Sequence, residues 1–485
     1  MELRDLQFEL KDNISLATLD TVIKLEKLLR DRSYTAYRSS YFLYRLAVEI
    51  LAEIIGRHPQ SSLRKEACFR LKNILIKDQS QIAISTAEAL SNLPLGIKGP
   101  ETNFDFELFY VSTDEILNKL KKCTFYKTEG RNLIFKKEDK LFVIKLEKNK
   151  EKALSLKKEI FWMLFLNDQK HLFQDFKIPI PLDLKGKYFF FLKDKGCYAI
   201  SYIADKDYFR YPNHPPLPSK KEFLEILSKA AFLFGRLISY GILHTDPIPL
   251  FHNRTESHRR DDRGLYLWTR GGRLDRWLSS CMYPNFAKSG IRDFEHLLSF
   301  SGSNRELFRF IGNHFLAMFL VLGSYFRAKE PKKIGFDKNK KPFDVRYLFD
   351  KDFMKKAVLK IFQSYFEGFV GETIDVSLDV DHLVDRMIDE FGVDRYMEEL
   401  FRVEDQLNMS DAEFKTFLKR VGYSAEEVNR MKKGEKDIPI YTGPHLGEFN
   451  GRISIPELLE FTAVCTAICM LYKALKLLTN TNPLE

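Results

Sequence analysis

Between residues 131 and 203 the hydrophobic period changes twice, and no other feature restricts the chain so much. RNLIFKKEDKLFVIKLEK, residues 131–148, alternates apolar and polar positions about a charged Glu138-Asp139 turn, which predicts a β-hairpin. EKALSLKKEIFWMLFL, residues 151–166, is apolar at Leu154, Leu156, Ile160, Met163 and Leu164, which predicts a helix. KYFFFLKDKGCYAISYI, residues 187–203, returns to aromatic, β-rich sequence and reads as two strands joined at KDKG. Hairpin, helix and hairpin are followed by a proline-rich linker, YPNHPPLPS at 211–219.

At 485 residues the chain is too long for one ordinary core, and two or three packed units are expected. Residues 1 to about 98 predict helices: LDTVIKLEKLL, YFLYRLAVEILAEII, SSLRKEACFRLKNIL and SQIAISTAEALSNL have three-and-four apolar spacing and serines at N-caps. Short helices paired around polar turns are like a HEAT-type array, although no firm repeat period is found. After the linker, KKEFLEILSKAAFLFGRLISYG predicts a strong amphipathic helix that Gly241 stops in a left-handed conformation. NRELFRFIGNHFLAMFLVLGSYF, 304–326, is apolar almost all round and predicts a central buried helix. The segments from 344 onward are short and mostly helical.

The start, MELRDLQFEL, carries acids and lacks the pattern of a secretory signal. The expected location is cytoplasmic, or that of an effector exported without a classical signal peptide. The longest apolar run, FTAVCTAICMLY at 461–472, falls short of the roughly 20 residues that span a bilayer, so a buried helix and no membrane span are expected. Six scattered cysteines show neither zinc-ligand nor disulfide patterning. A net charge of +10 favours anionic partners: nucleotides, acidic peptides or nucleic acid.

Chemistry gathers at two places. In FVIKLEK, Lys145 sits in an alternating strand, and Glu159 follows inside the next helix. A kinase-like site needs such a cation for nucleotide phosphates, an acid on the following helix to hold it, and large-lobe acids and amides for magnesium. The competing reading is an exposed strand lysine and a solvated helix glutamate. The second place is GILHTDPIPLFHN, residues 241–253, where a helix with a glycine stop leads to Asp246 and Asn253, the layout of a kinase catalytic loop. The order of these features predicts an α+β chain with a two-lobed protein-kinase-like fold. Its expected parts are an α-helical, HEAT-like region at 1–100, a small lobe at 101–215, a large lobe at 216–400 and a helical C-terminal region at 401–485.

Several features depart from ordinary kinases. No GxGxxG precedes Lys145; the turn is EGRNLIF, with Gly130 and a cation, Arg131. Asn253 follows Asp246 by seven positions rather than five. In place of a DFG aspartate the best substitute is Asp275 in GGRLDRW, ahead of Asp261 and Asp262. From Arg254 to Arg276 the chain holds seven arginines, plus His258. Arginine suits bidentate contacts with phosphate and carboxylate, so this run reads either as a further anion or nucleotide pocket or as a solvated basic face or RNA-contacting strip.

Lys145 and Glu159 with their spacing, GILHTDPIPLFHN, and the Arg/His-rich segment leading to GGRLDRW together resemble the SidJ family of kinase-fold proteins and SidJ-related pseudokinases, over roughly 120–330. The resemblance implies ATP and Mg2+ as cofactors and a protein substrate. It implies transfer of AMP to a glutamate carboxylate of that protein (AMPylation), then displacement of AMP by the amine of free glutamate (glutamylation). Lys145 and Arg131 would hold phosphates, Glu159 would orient Lys145, Asn253 and Asp275 would bind magnesium, and Asp246 would sit near the reacting centre. His252, Arg254, His258, Tyr266 and Arg270 would line a second, nucleotide-binding pocket. The family's effector is activated by calmodulin, but 453–478 has only Lys473 and Lys476 as cations, so core packing is expected there rather than a calmodulin-like activator. A carboxylate accepts an amine poorly until it carries a leaving group, and two negative partners in one site call for magnesium and several cations. Surplus arginine near the metal ligands fits that need, and nucleic acid is disfavoured as a partner. The alternatives are an atypical active kinase using Asp246 as base, and an inert kinase-fold scaffold.

Overall fold

The computed structural model describes residues 13–31, 38–77, 95–119, 123–173, 176–206, 220–244, 294–302, 350–374, 378–385 and 456–480, three short strands between these, and scattered positions besides. It is a mixed α and β chain with one large mixed sheet, compatible with an α+β class. Three helices come first: α1 (Leu19–Arg30), α2 (Arg38–Arg57) and α3 (Ser61–Lys77). Thr18 and Thr21 close a capping box at the start of α1.

The sheet strands are β1 (Leu108–Val111), β2 (Thr124–Glu129), β3 (Asn132–Lys137), β4 (Lys140–Glu147), β5 (Ile180–Pro181), β6 (Phe189–Leu192) and β7 (Cys197–Asp205). Helix α4 (Thr113–Lys119) follows β1, and α5 (Ala153–Asp168) links β4 to β5. The strand order is β1-β6-β7-β4-β3-β2, with β5 beside β7; β1 and β6 run parallel and the other pairs are antiparallel. Both expected hairpins form. Glu138 turns the first with φ 53°, and Gly196 turns the second with φ 59°. Strands β1, β2 and β5 and helix α4 extend the sheet unit beyond what the periodicity predicts.

Alternation decides which side each strand residue faces. On β4, Leu141 and Val143 join the main core under α5, while Phe142 and Ile144 join a smaller cluster on the other face with Val111, Ile116 and Phe190. The main core runs without a break from the N-terminal helices through the sheet into the later helices.

Those later elements are α6 (Lys220–Ser239), β8 (Ile242–His244), β9 (Arg259–Arg260), β10 (Tyr266–Trp268), β11 (Leu297–Ser299), α7 (Lys351–Val370), β12 (Ile438–Ile440) and α8 (Pro456–Asn480). Gly241 ends α6 with φ 68°, as its position after the amphipathic run predicts. All described positions of 304–319 are helical, and Leu307, Ile311, Phe315, Met318 and Phe319 among them are buried, as the apolar run predicts. Within α8, Phe461–Thr479 has the length and hydropathy of a membrane-crossing helix, and 72% of that window is buried inside the protein, against α3 and α7. Lys473 and Lys476 donate to the last carbonyls of α7, Phe369 O and Val370 O, and so cap that helix.

Helix α7 starts at Asp350, whose Oδ1 accepts the N–H groups of Asp352 and Phe353, and stops at left-handed Gly371. Replacing Asp350 by alanine is expected to cost about 1 kcal/mol in urea unfolding, the usual loss for an N-cap.

Candidate functional site

Lys145 has the same parity on β4 as Leu141 and Val143, so its side chain points towards α5. On α5 the buried positions Leu156, Glu159, Ile160, Met163 and Leu166 form one helical stripe, and Glu159 stands in the middle of it. Leu154, an expected apolar position of this helix, is instead exposed. An acid placed inside an apolar stripe needs a partner. Lys145 Nζ lies 2.5 Å from Glu159 Oε1, with the two side chains only 14% and 5% exposed. The reading of these residues as solvated surface groups therefore fails on burial.

A second acid reaches the same lysine from far along the chain. Glu295 Oε1 is 3.6 Å from Lys145 Nζ and 4.0 Å from an Arg131 guanidinium nitrogen. Arg131 sits with Gly130 in the two-residue turn between β2 and β3, and its other nitrogen is 2.5 Å from Glu147 Oε2 on β4. The cluster thus joins Arg131 and Lys145 to Glu147, Glu159 and Glu295, three carboxylates against two cations.

Glu295 lies in a single helical turn, Phe294–His296, that is tied down on both sides. Upstream, Ile291 donates its N–H to Lys177 O and accepts from the Tyr208 hydroxyl, at 2.9 and 3.0 Å. Downstream, β11 pairs with β8, placing Leu297 opposite His244. The Phe300 N–H donates to Gly241 O at 2.7 Å, and Phe300 O accepts the Gly99 N–H at 2.8 Å. Phe294 is itself buried and anchors the turn in the core.

These charges act on one another. Burial pushes the Glu159 carboxyl up, to about 8; Glu295 adds to the rise and Lys145 opposes it. Burial alone would lower the Lys145 ammonium, but Glu159 and Glu295 outweigh it and the group is held above its ordinary value. Glu147 is held below the usual carboxylate range: burial opposes this, while the Asn149 N–H and Arg131 prevail.

Of the sequence-derived site residues, Lys145, Glu159 and Arg131 come together as a cluster. His244, the last described residue before GILHTDPIPLFHN continues, ends β8 beside the Glu295 turn. Asp246, His252, Asn253, Arg254, His258, Arg270 and Asp275 lie outside the described residues. Tyr266 is placed by its backbone alone, in β10 between Arg260 of β9 and Ile440 of β12. Among the described residues no group of three or more His, Cys, Asp or Glu is arranged to hold a metal ion.

Glu295 is the site residue that the periodicity argument missed. A local signal for it exists: Asp293-Phe294-Glu295 in IRDFEHLLSF differs from the kinase Asp-Phe-Gly by its last residue. The chain matches no protein-family model and no curated protein, and the site's own residues carry its functional reading.

Proposed function

We propose that this chain is a Mg-ATP-dependent protein-modifying transferase on a two-lobed, kinase-like architecture, a pseudokinase of SidJ-like type. It would move AMP to a protein glutamate and then exchange AMP for the amine of free glutamate. The observation that carries the kinase-like part is the buried Lys145–Glu159 pair, a strand lysine held by a glutamate of the next helix. Nucleotide handling in protein kinases depends on such a pair. Arg131 at the β2–β3 turn adds a second cation beside it, in place of a glycine-rich loop. Two cations on one face suit a triphosphate, whose charge a single lysine leaves largely uncompensated.

In this reading Glu159 fixes the direction of the Lys145 ammonium, and Lys145 and Arg131 bind phosphate oxygens. The substrate carboxylate attacks the α-phosphorus and pyrophosphate leaves. The amine of glutamate then attacks the acyl carbon, AMP leaves with the electron pair of the broken bond, and the amine gives up a proton. Magnesium, when bound, supplies further charge neutralisation to the phosphates. Asn253 and Asp275 remain the proposed ligands, and Asp293 joins them because it stands two residues before Glu295 in the Asp-Phe-Glu triplet. Asp246 keeps its place near the reacting centre, and His252, Arg254, His258, Tyr266 and Arg270 the second pocket.

The reading is tested by incubating the full chain with magnesium and ATP labelled at the α or γ phosphate, with and without glutamate, and weighing the intact protein. Retention of α-label as an AMP-sized addition, lost on adding glutamate and absent in Lys145→Met, is the expected result. Label from the γ position alone would mean phosphate transfer and overturn the adenylation chemistry. No label, together with no Mg-ATP-dependent thermal shift, would mark an inert scaffold.

A further inference from the structure

The two cations assigned to phosphate already share an anion. Glu295 lies between Lys145 and Arg131, at 3.6 and 4.0 Å, while Lys145 keeps a separate hydrogen bond to Glu159 at 2.5 Å. The distances divide the acids into two kinds. Glu159 and Glu147 each hold one cation at hydrogen-bond length, whereas Glu295 bridges both from beyond it. Exposure divides the acids the same way: Glu159 and Glu147 are 5% and 9% exposed and Glu295 is 21% exposed, beside an Arg131 that is 43% exposed, although Glu295 Oε2 itself is shielded from solvent.

We propose that the Glu295 carboxylate occupies a phosphate subsite between Lys145 and Arg131, and that an incoming phosphate group binds there by displacing it. Displacement moves the Glu295 side chain and not its turn, because the backbone of the Phe294–His296 turn is pinned at Ile291 and Phe300. Glu159 and Glu147 stay in place, since they align the two cations rather than compete for the space between them. Glu295 therefore sets which anions gain entry. A polyphosphate brings enough charge to replace a carboxylate, and a monocarboxylate or chloride does not. The inference rests on the nucleotide reading only in naming ATP as the natural ligand; the subsite itself is testable without ATP.

The probe is inorganic triphosphate in magnesium-free buffer, titrated calorimetrically into the full chain, wild type and Glu295→Gln. Removing the resting occupant should tighten triphosphate binding by about tenfold, the gain expected when a site is free in only a tenth of molecules. In the double variant Glu295→Gln with Arg131→Gln the gain should disappear. If Glu295→Gln does not unfold cooperatively, Glu295→Asp serves instead, with a shorter reach to both cations and a gain of a few-fold. Equal or weaker binding in the single variant, a gain that survives loss of Arg131, or no triphosphate binding in any form would overturn the proposal. α-Label transfer is read separately, so the transferase reading and the subsite can fail independently.

Discussion

Replacing Lys145 by methionine is expected to destabilise the fold by about 3–5 kcal/mol at pH 9, and by clearly less at pH 6. The magnitude follows from what is left behind: Glu159 is 5% exposed and Glu295 faces it, with their shared cation gone. The pH direction follows from Glu159, whose carboxyl sits at about 8 in the folded protein and near 4.5 when unfolded. A carboxyl raised in this way takes up a proton on folding. Its protonated form supports the fold below the unfolded value, and that support is lost as pH rises through about 8. Without Lys145 the carboxyl is held higher still, so acid relieves the variant and base punishes it.

Urea unfolding of wild type and variant at the two pH values measures this directly. The double variant Lys145→Met with Glu159→Leu should recover most of the loss, because an apolar pair of similar volume replaces a buried ion pair at little cost. Both variants should lack α-label transfer, which separates the lysine's chemistry from its structural part. A Lys145→Met cost within about 1 kcal/mol at pH 9, or one that grows in acid, would mean that the pair does not govern this site.

The second large effect is expected where α6 and α7 cross. A Cβ on Gly235 would come within 2.2 Å of Tyr365 O, and one on Gly368 within 2.3 Å of Phe232 O. Helix propensity alone favours alanine over glycine by about 1 kcal/mol at either position. Contact with backbone decides the opposite sign, since a carbonyl inside a helix cannot rotate away. The helices would have to part, opening the layer where the Phe315 and Tyr365 rings pack tilted with centroids 4.4 Å apart and the Tyr365 hydroxyl bonds His314 at 3.0 Å. Gly368→Ala should therefore lose about 1–3 kcal/mol, and Gly368→Val more. The Ser228–Ser364 hydroxyl contact between the same helices, at 2.7 Å, should weaken with them. Measured stabilisation by Gly368→Ala would refute the close approach.

The legible parts of the fold are those set by near neighbours. FVIKLEK alternates, so Lys145 and Val143 share a face, and the three-and-four spacing that follows predicts the α5 helix. Which face of α5 is buried, and with it the Lys145–Glu159 pair, came from the structure, since Leu154 of the expected stripe is exposed and Glu159 is buried. Gly196 and Gly241 are readable because a left-handed residue is needed where those turns occur. The parallel pairing of β1 with β6 was not readable, since Leu108–Val111 meets Phe189–Leu192 across a long stretch of chain. Arg131 was readable as a cation near the lysine strand, but its bond to Glu147 depends on how the Gly130-Arg131 turn folds back.

Glu295 marks the limit most clearly. The sequence alone determined that a lysine strand is followed by a helix carrying a glutamate, because strand and helix depend on backbone periods a few residues long; that the glutamate points inward was decided by burial in the tertiary structure. Only the tertiary structure decided which acid completes the cluster. Glu295 reaches Lys145 through two distant anchors, Ile291 on Lys177 and Phe300 on Gly241, and neither leaves a periodic trace in the chain. Charge attraction then selects among whatever groups the packing brings within a few ångströms, and that selection is a property of three-dimensional distance.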